Sequence, residues 1–265
     1  MSKIKIIAAA GVLALTKSAS AANAVVSTFA NFSAVSSATN FRWVGGNGTV
    51  AAGTRDDAVF YTTPTATATA PGSTNSNFSF TLGGLPLNIP AKFLLSGTVT
   101  DTVATINGVN LVQSKLVGTF SFLSTNAVSY GIGYAAGSNL LSGTFTQTTL
   151  SGPRNGGTAG INGSTQGGST ISFTSDFVTF DPASNLELSW SLSSIAPLLN
   201  ALPTNGPPVR ATRNFRAVIG GQFSSDPAPI INSIPEPEVW ALLVVGFGLV
   251  GVQVRRRNRQ SAIAA

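Results

Sequence analysis

Site chemistry needs particular side chains, and this chain is short of them. It contains no histidine and no cysteine. A Ser-His-Asp triad, a histidine metal site, a thiol nucleophile and an iron–sulfur ligand set are therefore excluded. Between residues 24 and 234 the acids are Asp56, Asp57, Asp101, Asp176, Asp181, Glu187 and Asp226. A glycosidase needs two carboxylates facing one cleft, one of them with its pKa raised by an apolar setting. Glu187 falls on the polar side of an alternating stretch, while Asp181-Pro182 and Asp226-Pro227 have the form of turns. Asp56-Asp57 follows Gly53-Thr54-Arg55 and could hold Ca²⁺ with backbone carbonyls, but it lacks the alternating acids of a calcium loop. A turn beside an arginine is the simpler expectation. The inventory thus predicts no catalytic residue, no metal and no cofactor: a protein that is not an enzyme. A carboxylate-dependent glycan hydrolase is the catalytic alternative.

The only basic cluster of this region is Arg210, Arg213 and Arg216, around Phe215. Arg210 and Arg216 are an even distance apart and would share a strand face, with Arg213 opposite or in a turn. The cluster could meet an anionic polysaccharide. Charges that protect a solvated edge strand from aggregation are the favoured reading.

The C-terminus speaks more clearly. Pro235-Glu236-Pro237-Glu238 is followed by an apolar run over 239–254, in which only Gln253 is polar, and then by Arg255, Arg256, Arg257 and Arg259. As a helix the run would be roughly 24 Å long, against a hydrocarbon core of about 30 Å. Trp240 stands where an indole prefers the headgroup level, and the arginines can snorkel at the other end. A transmembrane helix is expected, since a core helix is rarely apolar all round and then closed by four arginines. Gly246, Gly248 and Gly251 spell G-x-G-x-x-G, the dinucleotide fingerprint. That motif needs a preceding strand and an acid some twenty residues on. Neither fits here, so the glycines read as a close-packing face of a membrane helix.

These residues carry a resemblance. Pro235, Glu236, Pro237, Trp240 and Ala241, the Gly-Phe-Gly-Leu-Val-Gly segment over 246–251 and the arginines from Arg255 to Arg257 resemble the PEP-CTERM sorting signal in its Pro-Glu-Pro-x-x-Trp-Ala form. The resemblance covers about a ninth of the chain. It implies an exported protein of a Gram-negative bacterium whose tail is recognised by an exosortase, a membrane cysteine transpeptidase. It further implies cleavage near Pro-Glu-Pro and release or transfer to the outside, often beside exopolysaccharide.

The N-terminus fits export. Lys3 and Lys5 precede an apolar stretch over 6–15, and Ala19-Ser20-Ala21 or Ala22-Asn23-Ala24 offers an A-x-A cleavage site. This is the pattern of a signal peptide, too short to span a bilayer stably. The two ends also explain the charge. The chain carries +6 overall. Without Lys3, Lys5 and Lys17, and without the net +2 of the tail, residues 24–234 carry +1. The basic excess belongs to targeting, and a nucleic-acid partner loses its basis. The positive-inside rule puts the arginines in the cytoplasm and the body in the periplasm or beyond.

The elements that must position any site are strands. Alternation is clean over 77–82 and 171–174, and over 186–192 it places Leu186, Leu188, Trp190 and Leu192 on one face. Further strands are expected over 93–95, 98–103, 116–123, 141–150, 177–180, 215–219 and at Phe223. Turns are expected at Asn107-Gly108, Asn155-Gly156-Gly157, Asn162-Gly163, Gly167-Gly168 and Asp181-Pro182. Only 194–202 hints at a helix, limited by Pro197 and Pro203. Segments 62–77 and 152–169 read as low-complexity loops. A Leu-Ser-Gly-Thr or Leu-Val-Gly-Thr echo recurs at Gly97, Gly118 and Gly143, where each glycine permits a bulge or a close approach.

The expected organisation is a signal peptide (1–23), an exported all-β domain (24–225), a Pro-rich stalk (226–234) and the sorting signal (235–259). The domain is expected to be an antiparallel β-sandwich, flattened barrel or meander. The expected role is that of an exported surface or extracellular-matrix protein, structural or exopolysaccharide-associated. Exosortase would be the processing partner, and the inner membrane an intermediate station. A permanently anchored periplasmic protein is the alternative.

Overall fold

The computed structural model describes residues 26–45, 58–63, 72–100, 104–130, 132–201 and 212–232, together with Val244, Val245 and Phe247. The described body is all β. Its strands are β1 (Ser27–Ala34), β2 (Phe41–Val44), β3 (Val59–Thr62), β4 (Thr74–Phe80), β5 (Ile89–Val99) and β6 (Ala104–Asn107). Next come β7 (Asn110–Ser124), β8 (Val128–Tyr130), β9 (Ile132–Tyr134), β10 (Asn139–Pro153) and β11 (Ala159–Ser164). The last are β12 (Thr170–Thr174), β13 (Val178–Thr179), β14 (Asn185–Ala196), β15 (Phe215–Asp226) and β16 (Ile230–Ile231).

Twelve of these strands form one antiparallel sheet. Its hydrogen bonds close a ring through β1, β4, β5, β7, β10, β11, β14, β15 and back to β1. The ring is not a regular barrel. β4 and β3 share one edge of β5, and β1 and β2 share one edge of β15, while β12 pairs only with β10. The chain enters beside Ser225 at Ser27 and leaves through β16, which pairs with β13. Both described ends of the body therefore lie at one rim, the near rim. The opposite, far rim holds the β6–β7 hairpin, Pro153 and the start of β15.

Alternation places one face of each strand inward. Along β14, Leu186, Leu188, Trp190 and Leu192 are buried while Ser189, Ser191 and Ser193 are exposed, as the periodicity predicts. The interior is aromatic. Phe223 lies 5.1 Å from Phe120, 5.6 Å from Phe173 and 5.9 Å from both Phe32 and Phe122, centroid to centroid. Trp43 is stacked between Phe60 and Phe215 at 5.6 and 5.8 Å, with both planes within 7° of its own. Each such side chain stabilises the fold by roughly 1.5–3 kcal/mol on burial. With no cysteine for disulfides, that burial and the ladder hydrogen bonds carry the stability.

The echo glycines make room for these rings. Gly97 and Gly118 are directly paired across β5 and β7, and Gly118 and Gly143 face Phe145 and Phe120 across β7 and β10. A Cβ on Gly118 would sit 2.7 Å from Cζ of Phe145, one on Gly143 would sit 2.9 Å from the Phe120 ring, and one on Gly97 would collide with Phe60. The close approach is thus of an aromatic ring lying over a bare backbone. The bulges fall elsewhere, at Lys115 and Gln147, which adopt φ of 60° and 57°. The one at Lys115 switches the inward parity of β7 from Leu111 and Gln113 to Leu116, Phe120 and Phe122.

Several expectations need correction. Within the stretch expected as a helix over 194–202, residues 194–201 are not helical: Ser194 (φ 53°) makes a bulge at the end of β14, so that Ile195 turns inward and the chain continues to bridges at Leu199 and Ala201. Asn162-Gly163 is not a turn but lies inside β11, within the segment expected as a loop over 152–169. There Gly163 is pressed against the Thr148 methyl. At the β6–β7 hairpin, Asn107 pairs with Asn110, so the loop residues are Gly108 and Val109 rather than Asn107 and Gly108. Gly168 (φ 89°) and the Asp181 carboxylate, which accepts the Ala183 N–H at 2.8 Å, do form the expected turns. Within the segment expected as a stalk, Ile230 and Ile231 form β16.

Candidate functional site

The sorting residues Pro235, Glu236, Pro237, Trp240 and Ala241, and the arginines Arg255, Arg256, Arg257 and Arg259, lie outside the described residues. So does the signal peptide. Of the apolar run over 239–254, Val244, Val245 and Phe247 are described. They are helical, and all three are exposed, at 67%, 57% and 71%. Those three side chains are therefore not packed into the body as a core helix would be. Among the described residues no helix is long and apolar enough to cross a membrane.

The body's described acids are each locally employed. Asp176 accepts the Asn139 N–H at 2.7 Å, and Glu187 accepts the Ser164 hydroxyl at 2.9 Å. Asp181 caps its own turn, and Asp226 closes β15 opposite Asn185. Asp56, Asp57 and Asp101 lie outside the described residues. Among the described residues no three acids come together as a metal site.

What the fold does bring together is a polar outer surface. Cross-strand register aligns Ser79, Asn31, Gln222, Ser189, Asn162 and Thr149 on six adjacent strands. In this row Ser189 donates to the Asn162 carbonyl at 2.8 Å. The parallel row Gly160, Ser191 and Gly220 carries almost no side-chain bulk. Asn31, Gln222, Ser189 and Asn162 line a shallow groove of about 570 Å³ together with Gly160, Ser191 and Gly221. A second row aligns Ser172, Thr144, Thr119 and Ser96 across β12, β10, β7 and β5, with the Thr144 and Ser172 hydroxyls 2.8 Å apart. Amides and hydroxyls can each donate and accept, so these rows can exchange hydrogen bonds with a hydroxyl-rich polymer.

The arginine cluster proves different from its sequence reading. Arg210 lies outside the described residues, and Arg213 precedes β15, its N–H donating to Asn200. Arg216 is on the outer face of β15, which at that level is paired with Ala196 of β14 on one side and Arg42 of β2 on the other. It is not on an edge strand, so edge protection cannot be its role. Its direct cross-strand neighbour is another arginine. Sequence reasoning missed Arg42 because β2 is four residues long and lies far from the cluster in the chain. It missed Asn31 and Gln222 as a pair because a bulge in β1 buries Phe29 and Ala30 in succession and breaks the alternation. Comparison with family models, with curated proteins and with solved structures finds no match to this chain.

Proposed function

We propose that this chain is an exported bacterial surface or extracellular-matrix protein, structural or exopolysaccharide-associated, sorted by an exosortase through its C-terminal tail. The observation that carries this reading is the uninterrupted order of Pro235-Glu236-Pro237, Trp240-Ala241, an apolar run and four arginines. The exposure of Val244, Val245 and Phe247 supports it, since apolar side chains left uncovered by the body suit a bilayer. The amide and hydroxyl rows support the association with a hydrated polymer. On this reading the body is a non-catalytic flattened barrel. It passes through an inner-membrane intermediate with the body in the periplasm, and then reaches the cell surface or the medium.

Pro235 and Pro237 fix φ, remove two backbone donors and bias their neighbours to extended conformations. Glu236 would then be presented in the extended form that proteases bind. Replacing Pro235, Glu236 and Pro237 by alanine should leave the protein inserted but uncut, so that the full tail is found in the membrane fraction. Replacing Arg255, Arg256 and Arg257 by glutamate should instead impair orientation and membrane retention. Normal processing of the triple-alanine variant would refute the proposal.

A further inference from the structure

The acids and the arginines of the described body are segregated by rim. The carboxylates Asp176, Asp181, Glu187 and Asp226 all sit toward the near rim, where the chain enters and leaves. The arginines Arg42, Arg154, Arg213 and Arg216 all sit toward the far rim. Arg154 follows the end of β10, and next to it Asn155 binds Leu199 and Asn200, whose carbonyl holds the N–H of Arg213. Arg216 and Arg42 stand directly opposite each other on the outer face. Like charges so placed destabilise a sheet. Among the described residues none of these four side chains makes an ion pair or hydrogen bond that would offset the repulsion. Arg55, Arg210, Asp56, Asp57 and Asp101 lie outside the described residues. Even if all five fell beside the four arginines, cations would still outnumber acids there.

We propose that the far rim is a binding surface for an acidic polysaccharide, with the Arg42–Arg216 pair as its carboxylate anchor. This rests on the reading of the body as an exported matrix component and names its partner. A guanidinium presents a planar fork that matches a carboxylate, and two forks on adjacent strands are satisfied together by a polymer that repeats its carboxylates. The outer face of β15 continues from Arg216 through Val218 and Gly220 to Gln222. That strand face leads from the arginine pair, over bare backbone, into the amide groove of Asn31, Gln222, Ser189 and Asn162. The distance is roughly 20 Å along the strand, long enough for several sugar rings. A nucleic acid would use the arginines but not the amide groove, and the body's total charge is nearly balanced, unlike that of a typical nucleic-acid-binding domain. The direction also fits the proposed anchoring. A tail that follows Asn232 leaves from the acidic rim, so a body held at a membrane would present its arginines outward.

The test uses the full-length chain in detergent, immobilised and titrated with polygalacturonate, with neutral dextran and with double-stranded DNA. The wild type should bind polygalacturonate more tightly than either of the others, and weaken as salt rises. The Arg42→Gln/Arg216→Gln double variant should lose at least about tenfold in affinity, because each charged hydrogen-bonding partner is worth about that factor. Asn162→Ala should weaken polygalacturonate binding without changing DNA binding. Lys92→Gln, in the half nearer the chain ends, should change affinity by less than about twofold. The double variant should keep or raise its melting temperature, since it removes a repulsion. Unchanged binding by the double variant would assign the affinity to the arginines of the tail and overturn the proposal. Tighter binding of DNA, or equal binding of dextran, would overturn it as well. None of these outcomes depends on tail cleavage, which is read separately by mass.

Discussion

Gly118 is closely hemmed in where β5, β7 and β10 lie side by side, and Gly118→Ala tests whether its bare backbone is required. An added Cβ would lie 2.6 Å from the Ser96 carbonyl oxygen, 2.7 Å from Phe145 Cζ and 3.0 Å from the Gly97 Cα. Two of these three neighbours are backbone in paired strands and cannot rotate away. Phe145 is fully buried, 5.3 Å from Trp190 and 6.2 Å from Phe60, so it cannot yield without moving both. Overpacking of this kind costs about 1–3 kcal/mol. Against it stands a gain of about 0.4–1 kcal/mol from restricting the unfolded chain. The net should be a loss of about 1–2 kcal/mol, or roughly 2–8 °C in Tm for a body of this size. Gly133 in β9 is the control, because a Cβ there meets nothing within 4 Å. Thermal unfolding of the full-length chain, followed by circular dichroism, gives both values. Equal Tm for Gly118→Ala and Gly133→Ala would show that the rings do not need the bare backbone, and would refute the account of the echo glycines.

Three further outcomes are expected. The Trp43 indole Nε1 is buried without a hydrogen-bond partner, so Trp43→Phe should cost less than about 1.5 kcal/mol, because lost contact is offset by removal of an unsatisfied donor; Phe60→Ala in the same stack should cost about 3–5 kcal/mol by urea titration. Burial raises the Tyr134 pKa, with Asp176 and then Tyr130 adding to the shift; the neutral phenol is favoured by the fold, so its contribution is complete below the ordinary value of about 10 and is lost as pH rises through the folded value. Absorbance at alkaline pH should show Tyr134 titrating late, and Asp176→Asn should move it earlier without abolishing the delay. Chelator should leave the Tm of the full-length chain unchanged, whereas a fall of many degrees would point to a cation at Asp56 and Asp57.

Where one face is wet and the other dry, the strands were legible from the chain alone. Leu186, Leu188, Trp190 and Leu192 needed only alternation, and so did Phe78 with Phe80 and Ile171 with Phe173. What stayed hidden was set by backbone choices that side-chain type does not announce. Lys115, Gln147 and Ser194 take positive φ without being glycine, and each bulge flips the inward parity partway along a strand. Asn162-Gly163 has the composition of a turn, yet it pairs within β11, where Gly163 is needed because Thr148 occupies the space a side chain would take. The surface rows were illegible for a different reason. Asn31, Gln222, Ser189 and Asn162 become neighbours only through ring closure, as do Arg42 and Arg216, which are 174 positions apart in the chain. By contrast the sorting motif is local, and its order can be read without any fold.

If the tail is a sorting signal rather than a permanent anchor, its arginines are removed before the protein reaches its final location. Intact mass of the wild-type protein, recovered separately from the membrane, from the cell surface and from the medium, tests it most directly. Sorting should give a membrane pool that retains residues 235–265, and a surface or released pool whose C-terminus lies near Pro235-Glu236-Pro237 and lacks Arg255, Arg256, Arg257 and Arg259. A protein that still carries those four arginines at its final location would contradict the account and establish a permanently anchored protein in its place.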